Sequence, residues 1–126
     1  MKKQVYVIEV YKYPTREVEA QADLAELVRL VDSAGYDIKG RELYKLRKMD
    51  LDTGFGSGKL AQLKSDLKAL GKINLLVLDF GLKPYQIKNI EDYFNIEVCD
   101  RTRLILEIFK RRAHTNEGKL QVELAE

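Results

Sequence analysis

The chain has 126 residues, of which 45% are hydrophobic and 33% are charged, a composition typical of one folded domain and unlike that of a disordered chain. Its 22 Lys and Arg residues nearly balance its 20 Asp and Glu residues, so the net charge of +2 neither indicates nor excludes nucleic-acid binding. The single cysteine and single histidine exclude an intrachain disulfide framework and most zinc sites, and no apolar run is long enough to span a bilayer, which predicts a cytoplasmic protein.

The first half of the chain alternates between strand-like and helix-like patterns. An apolar block rich in β-formers predicts a strand at 5–10, and apolar residues at helical spacing predict a helix at 20–34. A weak alternation at 37–46 predicts a second, more exposed strand. A glycine-rich loop at 49–58 then leads into an amphipathic helix that Gly71 ends.

The second half repeats the alternation. The block at 75–79 is the most strand-like in the chain, and Pro84 suits the first turn of the next helix. A brief strand follows at 96–99, and Asp100 is a suitable N-cap for a helix at 102–112. The pattern is interrupted at 114–118, after which a further helix begins at 119.

Strands that alternate with helices predict an α/β fold. We expect a four-stranded, mostly parallel sheet with helices on both faces, followed by the start of a long C-terminal helix. This divides the chain into an α/β subdomain at 1–113 and the beginning of a helical subdomain at 114–126. The last helix is too short to be stable alone, so it either docks on something or belongs to an element that the chain interrupts.

The glycine-rich loop resembles a phosphate-binding loop without matching one. A P-loop has four residues between its first glycine and the Gly-Lys pair, followed by Ser or Thr, whereas three residues separate Gly54 from Gly58 and Leu60 follows Lys59. What remains is a loop whose N–H groups, at Gly56, Ser57 and Gly58, open a helix beside Lys59. This predicts a generic anion or nucleotide site, although a purely structural turn is the favoured interpretation.

No catalytic or metal site is evident in the sequence. Asp50, Asp52 and Asp79 do not follow the calcium-loop pattern, and a capping role is the better interpretation of Asp79 at a strand end. Cys99 lies in an apolar strand and is predicted to be a small buried side chain. His114 has no visible catalytic partner, so we assign neither a catalytic residue nor a metal ligand.

Basic residues cluster in two segments despite the balanced total charge. Lys39, Arg41, Lys45, Arg47 and Lys48 lie in and after the second predicted strand. A second group, Lys110, Arg111 and Arg112, follows Arg101 and Arg103. Such segregation suits contacts with a phosphate backbone, although charge runs are usually solvated faces. The seven tyrosines fall mostly in predicted strands and helices and do not suggest a stacking platform.

Several strings of the sequence resemble the HflX family of ribosome-associated GTPases. They are GSGKL at 56–60, Asp79 with Leu82, Pro84, Gln86, Asn89 and Ile90, VCDRT at 98–102, LIL at 104–106, IF at 108–109, and EGKLQVELA at 117–125. The last string is the most specific because of its length. The chain is therefore similar to the N-terminal domain of that family. Lys83 and Gly81 depart from the family pattern, and Lys83 cannot cap a helix as a hydroxyl does.

The resemblance implies a small parallel α/β subdomain, then a pair of long helices, then a GTPase domain in cis that binds GTP and Mg²⁺ and lies outside this chain. It also implies binding to the large ribosomal subunit, with ribosomal RNA contacts made by the N-terminal domain. An ATP-linked activity of some members keeps the nucleotide hypothesis open. No cofactor is expected in this chain itself.

Three hypotheses follow. In the first, the chain is an RNA-binding module that contacts ribosomal RNA through Arg41, Lys45, Arg47, Lys48, Lys59, Arg111 and Arg112, each as a positioning charge. In the second, the Gly54–Lys59 loop binds a nucleotide weakly. In the third, the final helix pairs with a second copy through Leu120, Val122 and Leu124 to form a homodimer.

Overall fold

A computed structural model of the chain describes residues 2–125, and it describes the side chains of residues 2–113. Four strands alternate with four helices throughout this range. They are β1 (Gln4–Tyr11), α1 (Glu17–Ser33), β2 (Asp37–Lys45), α2 (Ser57–Ala69), β3 (Leu75–Asp79), α3 (Pro84–Phe94), β4 (Glu97–Asp100) and α4 (Arg101–Ala125).

The strands form one four-stranded sheet in the order β2-β1-β3-β4, and every neighbouring pair is parallel. The predicted α/β architecture is thus confirmed. The chain passes from β1 outward to β2, then crosses back to β3 on the other side of β1. Open α/β sheets characteristically place ligand sites where the strand order reverses in this way, beyond the carboxyl ends of the strands. Here that point lies between β1 and β3.

Two apolar clusters cover the two faces of the sheet. On one face, α2 and α3 pack Leu63, Leu67 and Ile90 against Ile8 and other residues of the strands. On the other, α1 and α4 contribute Leu27, Val31 and Leu104, among others, to a second cluster. The two central strands are buried on both faces, which explains why their sequences are continuous apolar runs rather than alternating ones.

A β-bulge in β2 decides which residues of this edge strand face each cluster. Val5 is opposite Ile38, but Tyr6 is opposite Gly40, so Lys39 is the additional residue. Because one extra residue reverses the alternation, Ile38 packs with the α1 side while Tyr44 packs with the α2 side. This irregularity explains the weak alternation of the second strand in the sequence.

The last helix differs from its prediction. The sequence predicts an interruption at 114–118, whereas α4 is one helix from Arg101 to Ala125. A single glycine inside a helix costs only about 1 kcal/mol, so Gly118 does not have to break it. The predicted N-cap is confirmed, because Asp100 Oδ1 accepts a hydrogen bond from the Arg103 backbone N–H at 2.8 Å. Within residues 2–125, no helix is both long and apolar enough to cross a membrane.

Candidate functional site

Four of the predicted RNA-contacting residues form an exposed basic strip at the edge of the sheet. Arg41 and Lys45 lie on edge strand β2, four positions apart and therefore on the same face, and Arg47 and Lys48 follow soon after the strand ends. All four are exposed. Within the side chains that the structure describes, none of them forms an ion pair. We call Arg41, Lys45, Arg47 and Lys48 the β2 basic strip.

The loop that continues the strip, at 46–56, is fastened by side chains of α3. Buried Gln86 donates from Nε2 to the carbonyl oxygens of Asp50 and Leu51, at 3.2 and 3.4 Å. Asn89 donates from Nδ2 to the carbonyl oxygen of Asp52 at 2.7 Å. These bonds satisfy backbone groups that a surface loop would otherwise leave to water. They fix the backbone of residues 50–52, including the exposed Leu51, on the surface.

The base of the loop is anchored in the core by an aromatic residue. Phe55 is 2% exposed, and its ring lies 5.8 Å from that of Tyr44 and 6.3 Å from that of Phe80. Buried Thr53 exchanges two hydrogen bonds with the Phe55 backbone. Gly54 has a φ of +86°, and a Cβ there would lie 2.6 Å from Leu82 Cδ2, so only glycine fits this turn.

Lys59 occupies a different environment from the rest of the predicted contacts. Its side chain is only 7% exposed, its ammonium pairs with the Glu42 carboxylate, and it lies 4.3 Å from the centre of the Tyr44 ring. Glu42 also accepts a hydrogen bond from the Tyr6 hydroxyl at 2.8 Å. Burial and the bond to Glu42 raise the pKa of Tyr6. A phosphate that approached Lys59 would have to compete with a carboxylate already in contact.

The predicted anion loop forms the start of α2. Gly56 is the N-cap residue, and Ser57 and Gly58 begin the helix, all three exposed. No side-chain hydrogen bond caps this end. Lys59, by contrast, extends toward β2, where its ammonium pairs with Glu42. The predicted nucleotide site thus stays a prediction, with its lysine already paired to a carboxylate.

Arg111 and Arg112 lie away from the β2 basic strip. Because α4 starts at the carboxyl edge of the sheet and runs back across it, Arg111 reaches the turn before β2, where it donates to the Ala34 carbonyl and lies 4.9 Å from the Tyr36 ring centre. Arg112 lines an apolar groove of about 250 Å³ with Leu30 and Phe109. The seven predicted contacts therefore do not form one surface.

Other residues singled out in the sequence have structural partners. The predicted turn-capping role of Asp79 does not describe its surroundings, because its carboxylate faces Arg101 Nη1 at 3.7 Å and neighbours Glu9. Cys99 is buried as predicted, and burial raises the pKa of its thiol to about 11. Within the described residues, no three His, Cys, Asp or Glu side chains are grouped to hold a metal ion.

Sequence reasoning missed the partners of these residues. Glu42 was overlooked because the bulge at Lys39 hides which face of β2 it occupies. Gln86 was noted only within a family string, although a glutamine at the third helical position after Lys83 is a recognisable capping signal: its Oε1 accepts the Lys83 N–H at 2.9 Å. The side chains of Leu120, Val122 and Leu124, on which the dimer hypothesis depends, lie outside the described residues.

Comparisons with known proteins agree on one family. The family described as "GTP-binding GTPase N-terminal" matches residues 21–110. The chain is 43% identical over 102 residues to a GTPase HflX of Magnetococcus marinus, covering 81% of this chain and 23% of the relative. It is 38% identical over 124 residues to the GTPase HflX of Escherichia coli, covering 98% of this chain and 28% of the relative.

Solved structures give the same result. A crystal structure of SsGBP in complex with GDP has a TM-score of 0.58 and 31% identity, covering 99% of this chain and 34% of that chain. A GTP-binding protein of Sulfolobus solfataricus, solved with GDP, has a TM-score of 0.56 and 28% identity, covering 85% and 30% respectively. This chain thus spans about a quarter of the length of the curated relatives and about a third of the solved chains.

Proposed function

The chain belongs to the HflX family, in the region described as the GTPase N-terminal domain, and from this premise we propose that it is an RNA-binding module that contacts the large ribosomal subunit. In this proposal it serves a GTPase domain in cis, which would supply GTP binding, Mg²⁺ binding and hydrolysis. The module itself positions the protein on ribosomal RNA and carries out no chemistry.

The observation that carries the proposal is the β2 basic strip. Four cations that no carboxylate neutralises, within the described side chains, lie on an edge strand and on a loop fastened by Gln86 and Asn89. The backbone that carries these cations is already fixed, so binding has to order only their side chains, and each phosphate that a cation contacts releases a counterion. Exposed Leu51 adds an apolar contact at the tip of the loop. Such a charged, exposed surface suits contact with a phosphate backbone better than it suits packing against the apolar surface of another protein.

Co-sedimentation of the chain with large ribosomal subunits across a salt series tests this proposal. We expect saturable binding whose affinity falls steeply as the salt concentration rises. The double variant Arg47→Glu/Lys48→Glu should weaken binding at least about tenfold and should flatten the salt dependence by about two units of slope, since two phosphate contacts are lost.

The matched control is Lys68→Glu/Lys72→Glu, which makes the same change in net charge at two exposed residues near the opposite end of α2. It should bind nearly as well as the unmodified chain. Equal weakening of both variants would mean that only net charge matters, and unchanged binding of the Arg47/Lys48 variant would remove the strip from the interface. An unrelated basic domain provides the background.

The two other hypotheses have less support. A nucleotide at the Gly54–Lys59 loop would find its lysine paired with Glu42, so the loop offers N–H groups without a free cation. A homodimer through the last helix depends on side chains outside the described residues. Direct titration with ATP and a measurement of molecular mass against concentration test these hypotheses independently of the ribosome experiment.

A further inference from the structure

A surface cleft lies where α2 and α3 end, at the edge of the sheet where β3 and β4 begin. Its volume is about 350 Å³, which is the size of a small binding pocket. Both helices stop there with the backbone in the left-handed region, at Gly71 with a φ of 92° and at Asn95 with a φ of 56°. The cleft is the space between these two turns.

The walls of the cleft are apolar. Leu67 and Ile73 are buried in the core, and Phe94 and Ile96 are partly buried and pack against the same cluster. All four line the cleft, so its floor is continuous with the core on this face of the sheet. An apolar side chain of a partner that entered the cleft would remove its own surface and these walls from water.

Three lysines surround this apolar surface. Lys64 and Lys68 are one turn apart on the same face of α2, and Lys72 follows the turn at Gly71. All three are exposed, and among the described side chains none of them pairs with a carboxylate. The Lys64 ammonium contacts only a ring, at 5.3 Å from the centre of Tyr93. The aliphatic stems of such lysines extend an apolar wall while their charges stay in water.

The cleft has a positive charge that no neighbouring acid neutralises. No carboxylate among the described residues lines it. Glu91 and Glu97 flank residues 94–96 in the sequence but are engaged elsewhere: Glu91 Oε2 accepts the Val98 N–H at 2.9 Å, and Glu97 pairs with Lys3 and Arg103 at 3.5 and 3.7 Å. The carboxyl ends of the two helices add partial negative charges, which three full positive charges exceed.

We propose that this cleft docks an extended acidic segment of a partner protein, with an apolar side chain in the cleft and carboxylates paired with Lys64, Lys68 and Lys72. In an extended chain, side chains two residues apart lie about 7 Å apart on the same side. Lys64 and Lys68 lie about 6 Å apart along the helix axis, so alternate acidic residues match them. The side chain between these acidic residues then points toward the apolar wall.

Asn95 supplies a polar group for the backbone of the same segment. Its side chain is exposed, lines the cleft and has no hydrogen-bond partner among the described residues. A side-chain amide can both donate to and accept from a peptide group. The cleft therefore offers a partner for each part of an acidic segment: its charges, its apolar side chain and its main chain.

Two other occupants fit this cleft less well. RNA bases stack on open aromatic faces, whereas three of the four apolar walls are aliphatic and the Phe94 ring already packs edge-to-face on Tyr93 at 4.9 Å. A free small molecule usually buries most of its surface, which a cleft with exposed lysines along its rim does not provide. An extended segment needs to bury only one side chain.

NMR titrations of the chain with the blocked peptide Glu-Leu-Glu-Leu-Glu test the cleft. We expect saturable amide shifts confined to residues 64–73 and 93–96, with an affinity that falls as the salt concentration rises. The peptide Glu-Ser-Glu-Ser-Glu has the same charge and no apolar side chain. It should bind at least about tenfold more weakly, because burial of the leucine is lost.

Lys68→Glu/Lys72→Glu should weaken binding of the leucine peptide by at least about tenfold, because two attractive charges become repulsive. Lys12→Glu/Lys88→Glu is the matched control: it makes the same change in net charge at two exposed lysines outside the cleft and should alter the affinity less than about twofold. Asn95→Gly keeps the left-handed turn and removes the amide, so it should weaken binding about two- to threefold.

Three results would overturn the proposal. Equal binding of the two peptides would mean charge attraction without docking, and equal weakening by the two lysine variants would mean that only net charge matters. Displacement of the leucine peptide by an equal concentration of a uridine tetranucleotide would assign the cleft to RNA. Ribosome binding tests a different surface, so the Lys68/Lys72 variant should retain it while losing the peptide, and the two proposals can fail independently.

Discussion

At the scale of single residues, the environment of Lys59 differs most from what its sequence pattern predicts. A lysine after a glycine-rich loop predicts an anion contact, yet this ammonium lies between the Glu42 carboxylate and the Tyr44 ring. Tyr6 completes the group, since its ring passes so close to Gly40 that a Cβ there would lie 2.7 Å from Tyr6 Cε1. A local sequence pattern cannot show this, because the partners are on another strand.

Lys59→Ala should therefore reduce the free energy of unfolding by about 2–3 kcal/mol, because it leaves the half-buried Glu42 without its cation. Urea denaturation measures the change. Adding Glu42→Gln should restore part of the loss, and strictly additive effects would show that the pair does not interact. Exposed Lys68→Ala is the control, with an expected change below about 0.5 kcal/mol.

Glu9 makes stability depend on pH. Its pKa is raised in the folded chain, so the folded state holds a proton that the unfolded state releases above the usual glutamate range. This contribution is fully present at low pH and decreases as the pH rises. Relative to Glu9→Gln, which cannot ionise, the unmodified chain should lose about 1–2 kcal/mol between pH 5 and pH 8. Urea denaturation of both proteins measures the difference, and parallel pH profiles would contradict it.

At the scale of elements, α3 both covers the sheet and organises the neighbouring loop. Ile90 is fully buried in the core, while Gln86 and Asn89 bind the carbonyl oxygens of residues 50–52. Asn95, in the left-handed region with a φ of 56°, ends the helix and lets the chain turn into β4. One helix therefore determines the geometry of the loop that carries Lys48.

Gln86→Ala should detach this loop. The substitution removes the acceptor for the Lys83 N–H and two donors to loop carbonyls, at a cost of about 2–3 kcal/mol. Hydrogen exchange of the amides at 50–55 should accelerate more than exchange in the β3 core. Asn89→Ala, which removes one exposed bond, should cost about 0.5–1 kcal/mol. Uniform acceleration across the chain would mean global destabilisation instead.

At the scale of the whole molecule, the fold was predictable and the site only partly so. Apolar runs and helical periods are local signals, and they predict all four strands, the parallel sheet and its two covered faces. The predicted interruption at 114–118 was wrong, because one residue of low helix propensity, Gly118, does not stop its neighbours from continuing the helix. The side-chain groups at Lys59 and Glu9 depend on strand order and on the bulge at Lys39, which no local pattern contains.

The fold also places the basic residues differently from the grouping that their sequence pattern suggests. Seven cations drawn from three segments of the sequence are divided by the fold into the β2 basic strip, a buried pair at Lys59 and a separate group on α4. The carboxyl edge between β1 and β3, by contrast, brings Glu9 and Asp79 together with Arg101. A chain with nearly balanced charge thus presents one basic edge, while opposite charges lie close together at the carboxyl ends of its central strands.

The strand order also affects how the chain folds. β3 and β4 are joined by a short connection, and Leu75 pairs with Glu97. β1 and β3, by contrast, come together only when residues 70 positions apart in the sequence meet, as Gln4 and Asn74 do. Closing a longer loop costs more conformational entropy, so the pairing of β1 with β3 has the largest entropic cost in the sheet. During synthesis the first strand can pair with β2 early, but its other edge stays unpaired until residues 75–79 have emerged.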